Sequence, residues 1–504
     1  MDPLEFVSKK MKWMGPGVSR FLEKRMKAIP AVAKKIEEQY DGMLVDIEKS
    51  LKPYRGQYEE YATLPTEGKN REDILSVMKN MADREVDRWR DGYVSGAVYH
   101  GDQDHINFQN KVYEMYSQTN PLHSDLWPSV TKFEAEIISM TANMLGASQT
   151  PDKIVGAVSS GGTESILLAM KSYRDRALEE KGITRPEMIF PVTAHAAFEK
   201  AAWYFGIKPI KIPIDANFKP DMNKLREAIN GNTIVIIGSA PNFPHGLIDP
   251  IEEMSELARV NGIGFHTDCC LGGFVLPWAE KLGYEVPKFD FRLLGVTSIS
   301  ADTHKYGYAA KGTSTVLYRG EELRRFQYFT TTDWPGGLYF SPTFAGSRPG
   351  ALSAACWASM VSMGEQGYLD NTSSILKAAE TIKKGISEIP ELKIMGNPLF
   401  VIAFESTSEA IDIYRLMDQM SHKKWSINGL HKPSCLHIAC TLRHAQPGVA
   451  ERFVKDLKDS VEWVKANPSS EGGLAPVYGM ASSIPFRGMV SDLLKRYMDV
   501  TYKV

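Results

Sequence analysis

The sequence predicts an α/β protein: two α/β units, the first with a mostly parallel sheet, preceded by a helical N-terminal segment. Three observations carry this. From about Asn107 short apolar runs alternate with helix-length segments, the alternation restarts on a smaller scale after about Met363, and the stretch before Asp91 shows no strand pattern.

Met1 to Asp91 is rich in Lys, Glu, Met and Arg, with Leu4, Val7, Met11 and Met14 at helical spacing. It reads as helices and extended connections whose apolar stripe packs on the protein itself or on a partner subunit. The next part contains strand candidates Ile154 to Val158, Met188 to Val192, Ile210 to Ile214, Thr233 to Ile237, Ile263 to Thr267 and Ser298 to Ala301. Helix candidates Ser165 to Arg174, Ala196 to Phe205 and Ile251 to Val260 separate them. Strand followed by helix, repeated, implies parallel pairing with helices on both faces. In such sheets ligands bind beyond the carboxyl ends of the strands, so the residues following each strand matter most. The last part offers strands Leu399 to Phe404 and Leu436 to Thr441, and helices Glu409 to Ser421 and Gly448 to Lys465, with Pro468 to Gly473 as a surface loop. These limits divide the chain into a helical segment over 1–104, a large unit over 105–362 and a small unit over 363–504.

Composition removes several function classes. With 504 residues, 43% hydrophobic and 24% charged, the chain can bury a sizeable core and is neither disordered nor fibrous. A net charge of -2 and the lack of a polybasic run argue against nucleic-acid binding. Cys269, Cys270, Cys356, Cys435 and Cys440 have neither disulfide-framework nor zinc-finger spacing, which fits buried thiols in a reducing compartment. No apolar stretch approaches the ~20 residues of a membrane span, and the N-terminus is not ordered like a signal peptide. A cytoplasmic protein without a transmembrane segment is expected.

Three motifs carry chemistry. Ser159-Ser160-Gly161-Gly162-Thr163-Glu164-Ser165 follows one strand candidate and opens a helix. Its glycines, hydroxyls and helix N-terminus suit a phosphate group, although a Gly-Gly-Thr turn by itself is often only a turn. In His266-Thr267-Asp268-Cys269-Cys270 a carboxylate arrives at a strand end, where it can hold a protonated ring nitrogen. The adjacent cysteines lack the spacing that turns two sulfurs toward one metal ion. In Ser298-Ile299-Ser300-Ala301-Asp302-Thr303-His304-Lys305-Tyr306-Gly307 a lysine lies just past a strand in a polar loop. Neighbouring cations and partial desolvation are expected to lower its pKa, as Schiff-base chemistry requires.

The ordered set of glycine cradle, His195, Asp268 and His304-Lys305 resembles the group II pyridoxal-phosphate decarboxylases of the aspartate-aminotransferase-like superfamily. The resemblance narrows to the sphingosine 1-phosphate lyase family, in its soluble prokaryotic-type form. It rests on Thr193-Ala194-His195-Ala196-Ala197-Phe198, the block from Ser300 to Gly312, and Ala345-Gly346-Ser347-Arg348-Pro349-Gly350. It spans the chain from about Tyr93 through Tyr478-Gly479-Met480, with Ala310 where many relatives have proline.

The resemblance implies fold type I with a seven-stranded sheet, pyridoxal 5'-phosphate as cofactor, and a homodimer with a shared active site. Lys305 would carry the cofactor as a Schiff base, His195 stack on its ring and Asp268 hold the ring nitrogen. Gly162, Thr163 and His304 would hold its phosphate, joined by Ser347 of the neighbouring subunit, while Asn242 would meet the ring hydroxyl. Tyr99 and His123 match substrate-contacting positions. Lys311, six residues after Lys305, is a point charge able to take a second phosphate. The implied reaction is retro-aldol cleavage of a phosphorylated long-chain amine to an aldehyde and phosphoethanolamine. Three alternatives stand beside it: an amino-acid decarboxylase of the same fold, a metal-dependent hydrolase using His245, His266 and Asp268, and a non-catalytic scaffold.

Overall fold

The structure, a computed structural model, describes residue 25 and residues 28–468 and 487–504. The stripe Leu4, Val7, Met11 and Met14, the motif Tyr478-Gly479-Met480 and residues 469–473 of the expected surface loop lie outside the described residues.

The N-terminal part is helical: α1 (Pro30–Leu51), α2 (Arg71–Arg90), α3 (Gln103–Tyr116) and α4 (Pro128–Met144). Asn70 and Asp102 start α2 and α3 by accepting backbone N–H groups of the first turn, which would otherwise lack partners. Then follow β1 (Ile154–Ser159), α5 (Gly162–Lys181), β2 (Glu187–Pro191), α6 (Ala197–Phe205), β3 (Lys208–Ile212), α7 (Met222–Ala228) and β4 (Thr233–Ser239). The large sheet continues with α8 (Ile251–Val260), β5 (Gly264–Asp268), α9 (Leu276–Lys281), β6 (Ser298–Ala301), β7 (Ser314–Arg319) and α10 (Glu321–Arg325).

Seven strands pair in the order β1-β7-β6-β5-β4-β2-β3, all parallel except β7, which runs antiparallel to both neighbours. The expected mostly parallel α/β sheet is therefore present, but β7 was not anticipated. It follows β6 through residues 302–313, which form no crossover helix, and it pairs antiparallel to β6 and β1. Register aligns the strand ends: Ser239 pairs with Asp268 and Asp268 with Ser300, so the loops after β4, β5 and β6 open into one crevice.

A hairpin, β8 (Phe329–Thr331) and β9 (Tyr339–Ser341), precedes the 38-residue α11 (Gly350–Ser387), which is interrupted at Gly364, whose φ is 57°. The limit read at 362/363 falls inside α11, and that at 104/105 inside α3. The small sheet, ordered β10 (Leu392–Ile394), β11 (Val401–Ser406), β13 (Cys435–Ala439), β12 (Asn428–Leu430), is fully antiparallel and carries α12 (Ile413–His422) and α13 (Val449–Ala466). The C-terminal α14 (Arg487–Tyr502) packs Leu493 and Met489 against Tyr40 and Leu44 of α1. One apolar core runs from Phe265 and Phe274 through Tyr306 to Phe400, Phe404 and Phe453, joining the two sheets. Among the described residues, no helix is long and apolar enough to cross a membrane.

Candidate active site

The crevice beyond β1, β5 and β6 is built from three loops that the sheet brings together. After β1 the chain turns at Gly161 and enters α5 at Gly162, with the Ser160 N–H capped by Glu164 Oε2 at 2.6 Å. A Cβ on Gly162 would stand 2.7 Å from both oxygens of Asp302 and 2.8 Å from Cys270 Sγ, whereas one on Gly161 would meet nothing within 4 Å. The helix start is thus packed from beneath and open above, which leaves its first N–H groups available to an anion.

After β5, Asp268 is buried, and its Oδ1 accepts from Cys270 N at 3.0 Å and Ser300 Oγ at 3.3 Å. Its Oδ2 takes part in neither bond and suits the protonated nitrogen of a ring cofactor. After β6, Asp302 is 2% exposed and pairs with Lys305 Nζ at 2.9 Å. Ser314 Oγ donates to Asp302 Oδ1 at 2.6 Å. The Lys305 pKa corrects the expectation of a lowered value. Burial opposes the ammonium, but the buried Asp302 carboxylate outweighs it and raises the pKa above its ordinary value. Asp302 itself, despite its burial, is held below the usual carboxylate range by Lys305 and then His304.

Lys311 behaves in the opposite way. Burial, then the charge of Lys305, brings its pKa down to about 8. Its Nζ donates to His304 O at 3.3 Å and stands 4.5 Å from the centroid of the Tyr99 ring. Tyr99 packs edge-on against Tyr306 at 4.8 Å, and burial pushes its phenol up to about 12. His304 Nδ1 donates to Thr313 O at 2.5 Å, which fixes its ring, and burial lowers its pKa.

Tyr99, Gly162, Asp268, His304, Lys305 and Lys311 therefore belong to one neighbourhood, and Thr163 is exposed in the first turn of α5 beside Gly162. His195 is exposed ahead of α6, accepts from Ala197 N through Nδ1 at 3.1 Å and meets Phe243 edge-on at 6.4 Å. Asn242 is buried and works in its own turn, donating to Leu247 O and accepting from His245 N, both at 2.9 Å. Among the described residues, His123 and Ser347 make no hydrogen bond to that neighbourhood. His123 is exposed in the turn before α4, and Ser347 is exposed in a loop tied to that region through Arg348 N, which donates to Asn120 Oδ1 at 3.1 Å. The same loop reaches the cradle through Phe344 N, which donates to Glu164 Oε1 at 3.2 Å.

Asp302 was not singled out in the sequence. The available signal was Asp302's position three residues before Lys305, at the end of an apolar strand. The residues of the metal alternative do not converge. His266 is buried with both ring nitrogens against hydroxyls, Ser298 at 2.7 Å and Ser300 at 3.2 Å, while His245 packs on Phe218. Among the described residues, no three His, Cys, Asp or Glu side chains are grouped to hold a metal ion.

Residues 53–404 match the pyridoxal-dependent decarboxylase conserved domain. The chain is 48% identical to a sphingosine-1-phosphate lyase of Arabidopsis thaliana over 489 residues, covering 96% of this chain and 88% of that one. It is 43% identical to the sphingosine-1-phosphate lyase of Saccharomyces cerevisiae, covering 93% and 80%. Among solved structures it is similar to a sphingosine-1-phosphate lyase of Burkholderia pseudomallei, with a TM-score of 0.82 and 41% identity over 90% of this chain and 99% of that one. A glutamate decarboxylase of Lactobacillus brevis shares the fold, with a TM-score of 0.70 at 18% identity, covering 84% and 98%.

Proposed function

Because the chain belongs to the pyridoxal-dependent decarboxylase family and groups there with the sphingosine-1-phosphate lyases, we propose that it is a pyridoxal 5'-phosphate-dependent aldehyde-lyase. It splits a phosphorylated sphingoid base into a long-chain aldehyde and phosphoethanolamine. The observation that carries this reading is the pair of cations on one loop. Lys305 has a buried counter-ion, Asp302, whereas Lys311 forms no ion pair among the described residues and lies against Tyr99. A lysine that keeps an unpaired charge beside a reactive amine suits a substrate with an amine at one position and a phosphate monoester nearby.

When bound, the cofactor supplies an aldehyde that captures the substrate amine and an electron sink for the pair left as the carbon–carbon bond breaks. The chain's own residues do the rest. Lys305 offers the ε-amine, Asp268 Oδ2 keeps a ring nitrogen protonated, and His195 covers a ring face. The α5 start at Gly162 and Thr163, with His304, holds one phosphate. Lys311 and Tyr99 receive the substrate's phosphate end, and Tyr99, kept neutral by burial, donates its phenolic hydrogen there.

His123 and Ser347 complete the site of a second copy in a homodimer. Exposed apolar side chains support that assembly: Leu75 and Met78 on α2, and Trp334, Leu338 and Phe340 on the β8–β9 hairpin. In the same reading, 105–362 binds the cofactor and 363–504 forms the smaller unit. The protein works in the cytoplasm, where its five free, buried cysteines stay reduced.

Product analysis tests the proposal. Incubation with a phosphorylated sphingoid base should give aldehyde and phosphoethanolamine in equal amounts. Carbon dioxide released from an amino acid, with neither product formed, would assign the decarboxylase instead.

A further inference from the structure

A buried carboxylate persists only when its charge is answered, because removing an ion from water costs several kcal/mol even after relaxation. Asp302 is answered on each accessible side. Lys305 Nζ lies 2.9 Å from Oδ2 and Ser314 Oγ 2.6 Å from Oδ1. Ser314 continues a chain of buried hydroxyls, with Ser165 Oγ at 2.9 Å and Ser159 Oγ a further 2.7 Å away. These serines come from β7, the first turn of α5 and the end of β1, so three elements fix the carboxylate. The backbone of Gly162 closes the remaining side, since even a Cβ there would strike both oxygens.

We propose that Asp302 is a positioning residue: it holds the free ε-ammonium of Lys305 at the Gly162 cradle whenever Lys305 is not covalently engaged, with Ser314, Ser165 and Ser159 fixing its direction. This rests on the reading that Lys305 carries the cofactor, and it goes further by fixing the protonation state of the released lysine. Exchange with a substrate amine frees Lys305 as a neutral amine, which becomes the ammonium that Asp302 holds by taking up one proton from substrate or solvent. To bond the cofactor again, it must first give up one proton.

The other titratable groups facing Lys305 do not compete for this role. Tyr99 and Cys270 are kept neutral by burial, His304 is lowered chiefly by burial, and Lys311 is itself a cation. Among the described residues, Asp302 is the carboxylate that pairs with Lys305.

Competitive acylation of the full-length chain, resolved from its cofactor and followed by peptide mass spectrometry over pH 6 to 11, reads the Lys305 amine without substrate or turnover. An exposed lysine such as Lys153 serves as the internal reference. In the parent protein the labelling midpoint of Lys305 should lie above that of Lys153. In Asp302→Asn it should fall by at least one unit, giving about tenfold more free amine at neutral pH. Ser314→Ala keeps the carboxylate but loosens it and should shift the midpoint in the same direction by less. A structural role alone would not move a titration midpoint. If the Lys305 midpoint matches that of Lys153 in the parent, or stays in place in a folded Asp302→Asn, the assignment is overturned. Should Asp302→Asn fail to fold, an unmoved midpoint in Ser314→Ala overturns it alone. A failure of the lyase reading would appear in product analysis and leave this titration unaffected.

Discussion

The Nζ of Lys311 stands over the face of Tyr99, 4.5 Å from the ring centroid, while six residues earlier Lys305 is locked to Asp302. The first lysine is held by a π face and a carbonyl, the second by a full charge. Among the described residues Lys311 has no carboxylate partner, and that asymmetry supports the proposal that the substrate's phosphate binds there. Lys311→Ala should leave the visible absorbance of the bound cofactor intact. It should weaken a phosphorylated substrate about ten- to hundredfold, the equivalent of roughly 1.5 to 3 kcal/mol for a charge-assisted contact. A non-phosphorylated analogue should change little. Loss of the chromophore, or equal losses on both substrates, would move Lys311 out of the substrate site.

The pH dependence of that contact follows from a Lys311 pKa lowered to about 8. Below it the ammonium is present in the free enzyme, and above it the charge is lost. The kcat/KM for the phosphorylated substrate should fall as pH rises through about 8, with kcat less affected because bound phosphate stabilises the ammonium. Lys311→Arg, which stays charged, should move that limb upward. A parent profile unchanged by the arginine variant would contradict the assignment.

A second copy completes the site if His123 and Ser347 serve across the dimer. Mixing two inactive variants, Lys305→Ala and His123→Ala, under subunit exchange would then give hybrids in which one of the two sites is intact. About a quarter of parental activity should return for statistical mixing. No recovery despite demonstrated exchange would place His123 in its own protomer's site.

Asp249 is buried behind the crevice, accepting Ser239 N through Oδ2 at 2.8 Å, with the side chain of Asn242 as a further neighbour. Burial raises its pKa to about 7. Between the ordinary carboxylate range and about 7 the folded state binds more protons than the unfolded state, so this group's contribution to stability falls as pH rises through that window. Asp249→Asn removes the titration. Its stability relative to the parent should therefore rise between pH 5 and 8, by up to a few kcal/mol. A parallel pH dependence in thermal melts of the two proteins would rule this out.

Most of the large sheet was legible in the sequence because its strands are short apolar runs followed by helices, and their edges shifted by only a residue or two. β7 was not, because its pairing depends on a chain reversal that periodicity does not encode. The long α11 hid the change of unit near Met363, since a helix can continue smoothly from one layer into the next. Within the site, Lys305, Gly162 and Asp268 were readable as residue types following strands, and Lys311 as a charge six residues after Lys305. The pKa of Lys305 was not, since its sign depends on a carboxylate meeting the amine at 2.9 Å, a distance only the folded loop sets. Ser159, Ser165 and Ser314 become one hydroxyl chain only when β1, α5 and β7 pack together.

The central claim is that Lys305, at the carboxyl end of β6, is the residue to which the cofactor bonds. Borohydride reduction of the holoenzyme followed by peptide mapping tests it most directly. The pyridoxyl mass should appear on the peptide containing Lys305, and Lys305→Ala should lose both that adduct and the visible absorbance while keeping its far-ultraviolet circular dichroism. An adduct on Lys311 or another lysine, or retained absorbance in a folded Lys305→Ala protein, would contradict the account.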